Sequence, residues 1–452
     1  MEHSRAPGVV VVGAGIIGLT AAWRALAAGA AVTVLDPAPG DGATHAAAGM
    51  LGPAMEAEFG EERLARIGAE SARLWPRFAA ELERAAGLAP GALGLDTAGT
   101  LAVAYDADDV ALLRRRLALH RELGLESEEI TPAEARDREP SLGPRVSAAA
   151  WVPGDHQVDP RVVQSALLDV VRAHPRGRLV ERAVTTLIWE DGAVVGVRDD
   201  AGTAWVAGAP TEVADGPVAV GSADGAGGDG PDEAGRGGRR RGGIVVLAAG
   251  HASAALYPGA PTRAVPGTTL RLDAEVSLGP SVVVRGTVQG RPVYVVPRRP
   301  RADGRREIVV GATSDERAAT TRTRAGDVFA LLRDARALLP ALDEADLVET
   351  TTRSRPGSPD NAPLLGEAAP GLLLATGHHR GGILLAPLTA AVVDHRPGVV
   401  DHGQAVAPPA GPDAAGVARI AEAAAPLLDP RRLERRSTAP AAHPRTTEGA
   451  PS

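Results

Sequence analysis

The sequence contains no cysteine. That absence excludes disulfides, cysteine-ligated metals, a thiol nucleophile and a flavin linked through sulfur. It contains no lysine either, because all 48 residues counted as lysine plus arginine are arginine. Without lysine no side-chain Schiff base can form, which removes ordinary pyridoxal-phosphate chemistry. No apolar run approaches the roughly 20 residues of a transmembrane helix. The opening apolar run, Val9–Val12, is too early and too short for a signal peptide. A net charge of -8 gives no general attraction for nucleic acid or an anionic membrane. These absences predict a cytoplasmic enzyme with no metal site, no membrane association and no nucleic-acid partner. The chain's 452 residues suffice for two domains and a large core.

What is present begins with a strand–helix–strand unit. Val9–Val12 is a β-branched run suited to a buried parallel strand. A helix is predicted from about Ile16 to Ala28, stopped near Gly29, and a second strand from Ala31 to Leu35. Helical stretches follow near Glu61–Ala86 and Asp108–Leu123. Asp191-Gly192 lies between two apolar runs and reads as a hairpin turn. From about Asp199 to Gly243 the pattern dissolves into Gly, Ala, Asp and Arg, which predicts a flexible insertion. Strand-like runs at Ile244–Leu247, Thr268–Leu272, Ser281–Arg285, Pro292–Val296 and Glu307–Gly311 follow. The close spacing of the last four predicts an antiparallel sheet. A helix near Ala325–Leu339, a strand near Leu372–Ala375 and a helix after Gly382 complete the pattern. Residues 403–452 are Ala/Pro-rich, end in polar residues, and are expected to be a disordered tail.

Gly13-Ala14-Gly15-Ile16-Ile17-Gly18 is a GxGxxG between the first strand and its helix. The first glycine permits a tight turn, the second lets backbone approach a pyrophosphate at the helix N-terminus, and the third allows close packing. Gly18, Ala21, Ala22 and Ala25 make a small-residue helix face for that packing. Asp36, ending the second strand, is placed to accept from a ribose, and its charge disfavours NADP. The fingerprint alone leaves NAD and FAD open.

The further segments Thr44-His45-Ala46-Ala47-Ala48-Gly49-Met50-Leu51, Gly154-Asp155-His156-Gln157-Val158-Asp159-Pro160, Tyr294-Val295-Val296-Pro297-Arg298 and Ile308-Val309-Val310-Gly311-Ala312-Thr313 resemble the glycine oxidase branch of the D-amino-acid oxidase superfamily. Arg355-Pro356-Gly357-Ser358-Pro359-Asp360 and the block from Gly377 to Pro387 complete the set. They occur in family order between about Val9 and Asp394. His379 and Gly381 depart from the family's common aromatic and Asn, and Ser314 from its larger apolar residue.

The resemblance implies an α/β fold. A Rossmann-like FAD-binding domain (residues 7–95, 145–262 and 345–402) would interleave with an α+β substrate domain (96–144 and 263–344) built on an antiparallel sheet. It implies noncovalent FAD held by the fingerprint residues, Asp36, Thr44, His45, Ala47, Ala48, Gly49, Met50, Val184, Gly250, His378, Arg380, Gly381, Gly382, Ile383 and Leu384. Because cysteine is absent, His45 is the leading candidate for any covalent link.

Arg355 is expected to hold the substrate carboxylate, since a planar guanidinium binds carboxylate bidentately. Arg353, two residues away, would share its face of a strand. Tyr294 and Arg380 are expected at the substrate. A helix opening at Gly381-Gly382 would aim its positive end at the flavin. The implied reaction is oxidative deamination of glycine, sarcosine or small D-amino acids. The α-hydrogen would leave as hydride to flavin, oxygen would become hydrogen peroxide, and the imine would go to thiamine thiazole synthesis or glyoxylate. A homo-oligomer is expected. Two alternatives are another FAD-dependent oxidase or dehydrogenase (D-amino acid, sarcosine or proline) and a non-catalytic flavoprotein contacting RNA through Arg236, Arg239, Arg240 and Arg241.

Overall fold

The short run Gly8–Val12 is buried at all five positions. It pairs in parallel with Ala31–Leu35 on one side and Ile244–Leu247 on the other. A computed structural model describes residues 8–208, 243–316, 319–394, 424 and 428–433. In it these strands form the centre of a six-stranded sheet. Its order is Leu364–Ala369, Leu372–Thr376, Ile244–Leu247, Gly8–Val12, Ala31–Leu35 and Gly177–Val180. All neighbours are parallel except the antiparallel edge strand Leu364–Ala369. Helix Ile16–Ala27 buries Gly18, Ala21, Ala22 and Ala25 on one face, as the small-residue spacing predicts. One side of the sheet packs with that helix and with helices Glu62–Ala85, Pro160–Ala173 and Ala386–Asp394. The other side packs on a three-stranded sheet containing Val184–Glu190 and Ala193–Asp199. Those two strands are joined by Asp191 and Gly192 at φ 49 and 77, the left-handed pair that a tight hairpin turn requires.

The second large sheet has eight strands. Its order is Asp346–Gly357, Arg263–Glu275, Arg305–Gly311, Arg291–Pro297, Val283–Val288, Thr100–Ala104, Ala148–Val152 and Glu128–Ile130. It is antiparallel except where Val283–Val288 runs parallel to Thr100–Ala104. One face packs on helix Ala325–Leu338, the other on helix Ala107–Leu123. The fold is the mixed α/β architecture expected.

Four expectations need correction. Ala148–Val152 and Asp346–Gly357 fall within the segments expected in the FAD-binding domain, yet both pair into the eight-stranded sheet. Partner choice across the sheet decides this, and local pattern does not carry it. Second, the irregular segment is shorter than 199–243. Ala204–Val206 pairs antiparallel with Gly196–Arg198, and Asp199 accepts from the Ala201 and Thr203 amides and the Trp205 indole. Residues 209–242, with the arginine cluster, lie outside the described residues.

Third, the expected tail is ordered in part. Leu428 is buried in the core, and Arg432 binds Asp360 at 2.8 Å and donates to the carbonyls of Ala362 and Pro363. Its guanidinium satisfies a loop that would otherwise bury unpaired acceptors. Fourth, the last helix does not open at Gly381-Gly382. Residues His379–Gly381 form a 3₁₀ turn, a turn spans 382–385, and α-helix begins at Ala386.

Candidate active site

The carboxyl ends of the parallel strands converge on one cavity of about 1310 Å³, where open α/β sheets bind their ligands. At its floor lies the glycine loop. Gly13 has φ 107, and a Cβ there would meet the Ala248 carbonyl at 2.4 Å. A Cβ on Gly18 would meet the Gly13 carbonyl at 2.0 Å. These two glycines are bare because backbone fills the space. Gly15 differs, since a Cβ there would meet only Thr44 Oγ1, at 3.6 Å. It borders the cavity and leaves room for a ligand's phosphate to approach the helix N-terminus. Asp36 also lines the cavity and braces the loop, accepting from the amides of Ala14 at 2.7 Å and Ala38 at 2.8 Å. The Thr44 hydroxyl accepts from the Ile16 amide at 3.1 Å.

From this floor the cavity runs past Ala47, Ala48, Gly49 and Met50. Gly49 has φ 79, and its missing Cβ would strike the Val158 carbonyl at 1.9 Å. Arg298 ties the two motif segments together by donating to the carbonyls of Ala48 and Val158 and to Gln157 Oε1. Ile16, Ile17, Val184, Gly250, His378, Gly382 and Ile383 also line the cavity. Ala14, Gly18, His45, Gly381 and Leu384 do not. Gly18 packs against the loop, while Leu384 offers its carbonyl to Ser71 and Trp75. The His45 imidazole faces Glu349 at 3.7 Å, beside the Arg161–Glu349 pair.

The far end of the cavity is walled by the eight-stranded sheet. Tyr294 lies opposite Arg285 on one neighbouring strand and opposite Gly311 on the other. Its hydroxyl occupies the space that a Gly311 side chain would need, 2.4 Å from an ideal Cβ. Burial raises the Tyr294 hydroxyl above its ordinary range, so it stays protonated. Arg355 rests on Gly267 in the same way, its Nη1 lying 2.2 Å from an ideal Cβ there. It donates to the Thr313 carbonyl at 3.2 Å.

Arg355 has no carboxylate partner among the described residues, unlike Arg285, Arg353 and Arg380. Arg353 is bound to Asp41. Arg380 pairs with Glu56 at 2.8 Å and Glu61 at 2.7 Å, and Arg285 pairs with Glu56 at 2.7 Å. The structure therefore separates Arg353 from Arg355, which strand spacing could not do, and places Arg380 in the wall as half of an ion network. Burial works against the Glu56 charge, but Arg285 and Arg380 outweigh it and hold the carboxyl below its usual range. Beneath it Asp155, 1% exposed, accepts from the amides of Ala54 and Met55 at 3.0 and 2.9 Å. Burial pushes the Asp155 carboxyl up to about 6. His379, a departure from the family pattern, has φ 46 and lines the chamber. Burial, with Arg380 and Arg355 nearby, pushes its imidazole down to about 4, so it is neutral at ordinary pH.

Sequence reasoning missed Arg285, Glu56, Gly267 and Gly311 as parts of the site. Arg285 and Gly311 had a signal, since each sits on a strand that can neighbour Tyr294. Glu56 had none.

A Rossmann-type sheet whose open glycine loop leads into a chamber walled by a second sheet defines a dinucleotide-dependent oxidoreductase of the flavin type. The chain belongs to the family of FAD dependent oxidoreductases, which matches residues 8–396. A bifunctional protein ThiO/ThiG from a Nostoc species is 30% identical over 394 residues, covering 85% of this chain and 52% of that protein. The chain thus spans about half the length of the cyanobacterial relatives of that name. A glycine oxidase from Geobacillus kaustophilus is 29% identical over 392 residues, covering 85% of this chain and 91% of the relative. The crystal structure of glycine oxidase from Geobacillus kaustophilus matches with a TM-score of 0.68 at 27% identity, covering 86% of this chain and 93% of that one.

Proposed function

We propose that this FAD-dependent oxidoreductase oxidises glycine, and small amino acids that share its free carboxylate, to the corresponding imine. The carrying observation is Arg355, a cavity-lining guanidinium on the substrate-side sheet without a carboxylate partner among the described residues, whereas Arg285, Arg353 and Arg380 beside it are each paired. Such a group binds a substrate carboxylate with two parallel hydrogen bonds. Tyr294, half-buried and protonated, adds a donor on the same wall. Bound FAD would supply a two-electron acceptor for the α-hydrogen and its electron pair, with oxygen as the final oxidant and hydrogen peroxide as the by-product. The chain's own residues orient the amine and exclude water. Gly15, Asp36, Thr44 and the Ala47–Met50 segment would hold the cofactor, without a covalent link. The imine would pass to thiazole formation for thiamine, in keeping with a relative named for thiamine biosynthesis, or would hydrolyse to glyoxylate.

Arg355→Lys keeps the charge and loses the fork. The glycine concentration for half-maximal anaerobic flavin bleaching should rise at least about tenfold, with FAD content unchanged. An unchanged concentration would remove Arg355 from the carboxylate site.

A further inference from the structure

The cavity does not end at Tyr294. It also takes in Ala102, Leu112, Leu113, Arg116, Thr287 and Pro292. On the hairpin formed by Val283–Val288 and Arg291–Pro297, Arg285 faces Tyr294, and Thr287 faces Pro292 one step nearer the tip. Side chains two apart on a strand share a face. Thr287 and Pro292 therefore continue the wall that Arg285 and Tyr294 begin. Helix Ala107–Leu123 closes the other side with Leu112, Leu113 and Arg116. Leu113 is 7% exposed and lies inside, while Leu112 is 39% exposed and marks the mouth. Two strand residues advance roughly 7 Å, so the arm outreaches anything glycine could fill.

Its charge is already balanced. Arg116 pairs with Glu58 at 3.2 Å, Arg285 with Glu56 and Arg380 with Glu61, both at 2.7 Å. Among the described residues of the arm, Arg116 and Arg285 are both paired, and the remaining lining, Ala102, Leu112, Leu113, Thr287 and Pro292, is aliphatic or hydroxyl.

We propose that this arm is a substrate subsite that takes the uncharged alkyl tail of an amino acid whose carboxylate sits on Arg355. The proposal rests on the carboxylate reading given above. A tail on nitrogen and a tail on the α-carbon present the same chemistry to the arm, and the test separates them.

The holoenzyme is mixed anaerobically with glycine, N-methylglycine, N-butylglycine, D-alanine and D-norleucine, and flavin bleaching is followed. At least one butyl-bearing substrate should bleach the flavin with a second-order rate constant at least roughly tenfold above that of its methyl counterpart, as burial of several methylenes requires. The N-butyl and D-norleucine results show which atom carries the tail. Thr287→Trp and Pro292→Trp, each checked for FAD content, should erase that gain and change the glycine rate less than about twofold. Pro292 is exposed, so its replacement keeps the test alive if Thr287→Trp fails to fold. Butyl substrates no faster than methyl ones overturn the subsite. An equal loss on glycine in the variants also overturns it, because the arm is then only an entry route. Bleaching by none of the five overturns the carboxylate reading as well, and the two failures are thereby distinguished.

Discussion

Gly267 has no side chain with which to hold a substrate, yet replacing it should disable the proposed carboxylate site. Its φ lies outside the left-handed region, so alanine suits the strand there. The added Cβ would fall 2.2 Å from Arg355 Nη1, 2.7 Å from Cζ and 2.8 Å from Nη2. Ordinary contact begins near 3.4 Å, so the guanidinium must lift by about an ångström. The obstructing atoms are the end of a flexible side chain, and the fold absorbs the change. Gly→Ala at a compatible position also stabilises by roughly 0.4–1 kcal/mol through the unfolded chain. Function behaves oppositely. Hydrogen bonds to charged groups contribute about 1.5–3 kcal/mol, and a misplacement of about 1 Å can cost on the order of a hundredfold in rate. Gly267→Ala should therefore lower kcat/KM for glycine by roughly ten- to a hundredfold, mostly through KM. Melting temperature and FAD content should hold or rise slightly. Peroxide release under varied glycine, beside a thermal melt, reads both. A kcat/KM within about threefold of the parent would refute the idea that the carboxylate sits on Arg355 as the strand presents it.

Asp155 supplies a pH test. Its folded carboxyl titrates at about 6, above the ordinary 3.8, because of burial. Between those values the folded chain holds a proton that the unfolded chain has lost, so this group's contribution to stability falls as pH rises through the window and stays low above it. Relative to Asp155→Asn, the wild type should lose up to about 3 kcal/mol of stability between pH 4 and pH 7, measured by denaturant unfolding. A difference that stays flat or grows with pH would contradict the assigned burial. Flavin attachment gives another prediction. Because His45 faces Glu349 and does not line the cavity, acid precipitation should release all the yellow colour, and His45→Ala should leave FAD content unchanged. A yellow pellet that His45→Ala bleaches would show a covalent link.

Local signals in the sequence carried well. The tight glycine loop and its helix could be read because their geometry depends on near neighbours. The Asp191-Gly192 turn was legible for the same reason. What stayed hidden depends on which strands become partners. Arg285 and Glu56 are 229 positions apart, and no pattern in either segment announces their ion pair. The strand carrying Arg355 belongs to the eight-stranded sheet because it pairs with Arg263–Glu275, whose Gly267 then becomes its seat. Arg353 and Arg355 share a strand face, and only the structure shows that Asp41, from a distant loop, claims the first. The tail misled in another way. Its composition reads as unstructured, but one arginine with five hydrogen-bond donors found a loop that needed them.

The all-arginine wall has a consequence for alkaline conditions. Guanidinium groups keep their proton far above the range in which an ammonium side chain discharges. Burial works against the Arg380 charge, but Glu56 and Glu61 outweigh it and raise its pKa, so it holds its charge while a free amino acid becomes neutral at nitrogen, the form that can surrender its α-hydrogen. Tyr294, lifted above its usual range by burial, keeps its proton through the same interval. Raising the pH activates the reactant and leaves the receiving surface intact, and the rise in rate then tracks the basicity of whichever amine is supplied.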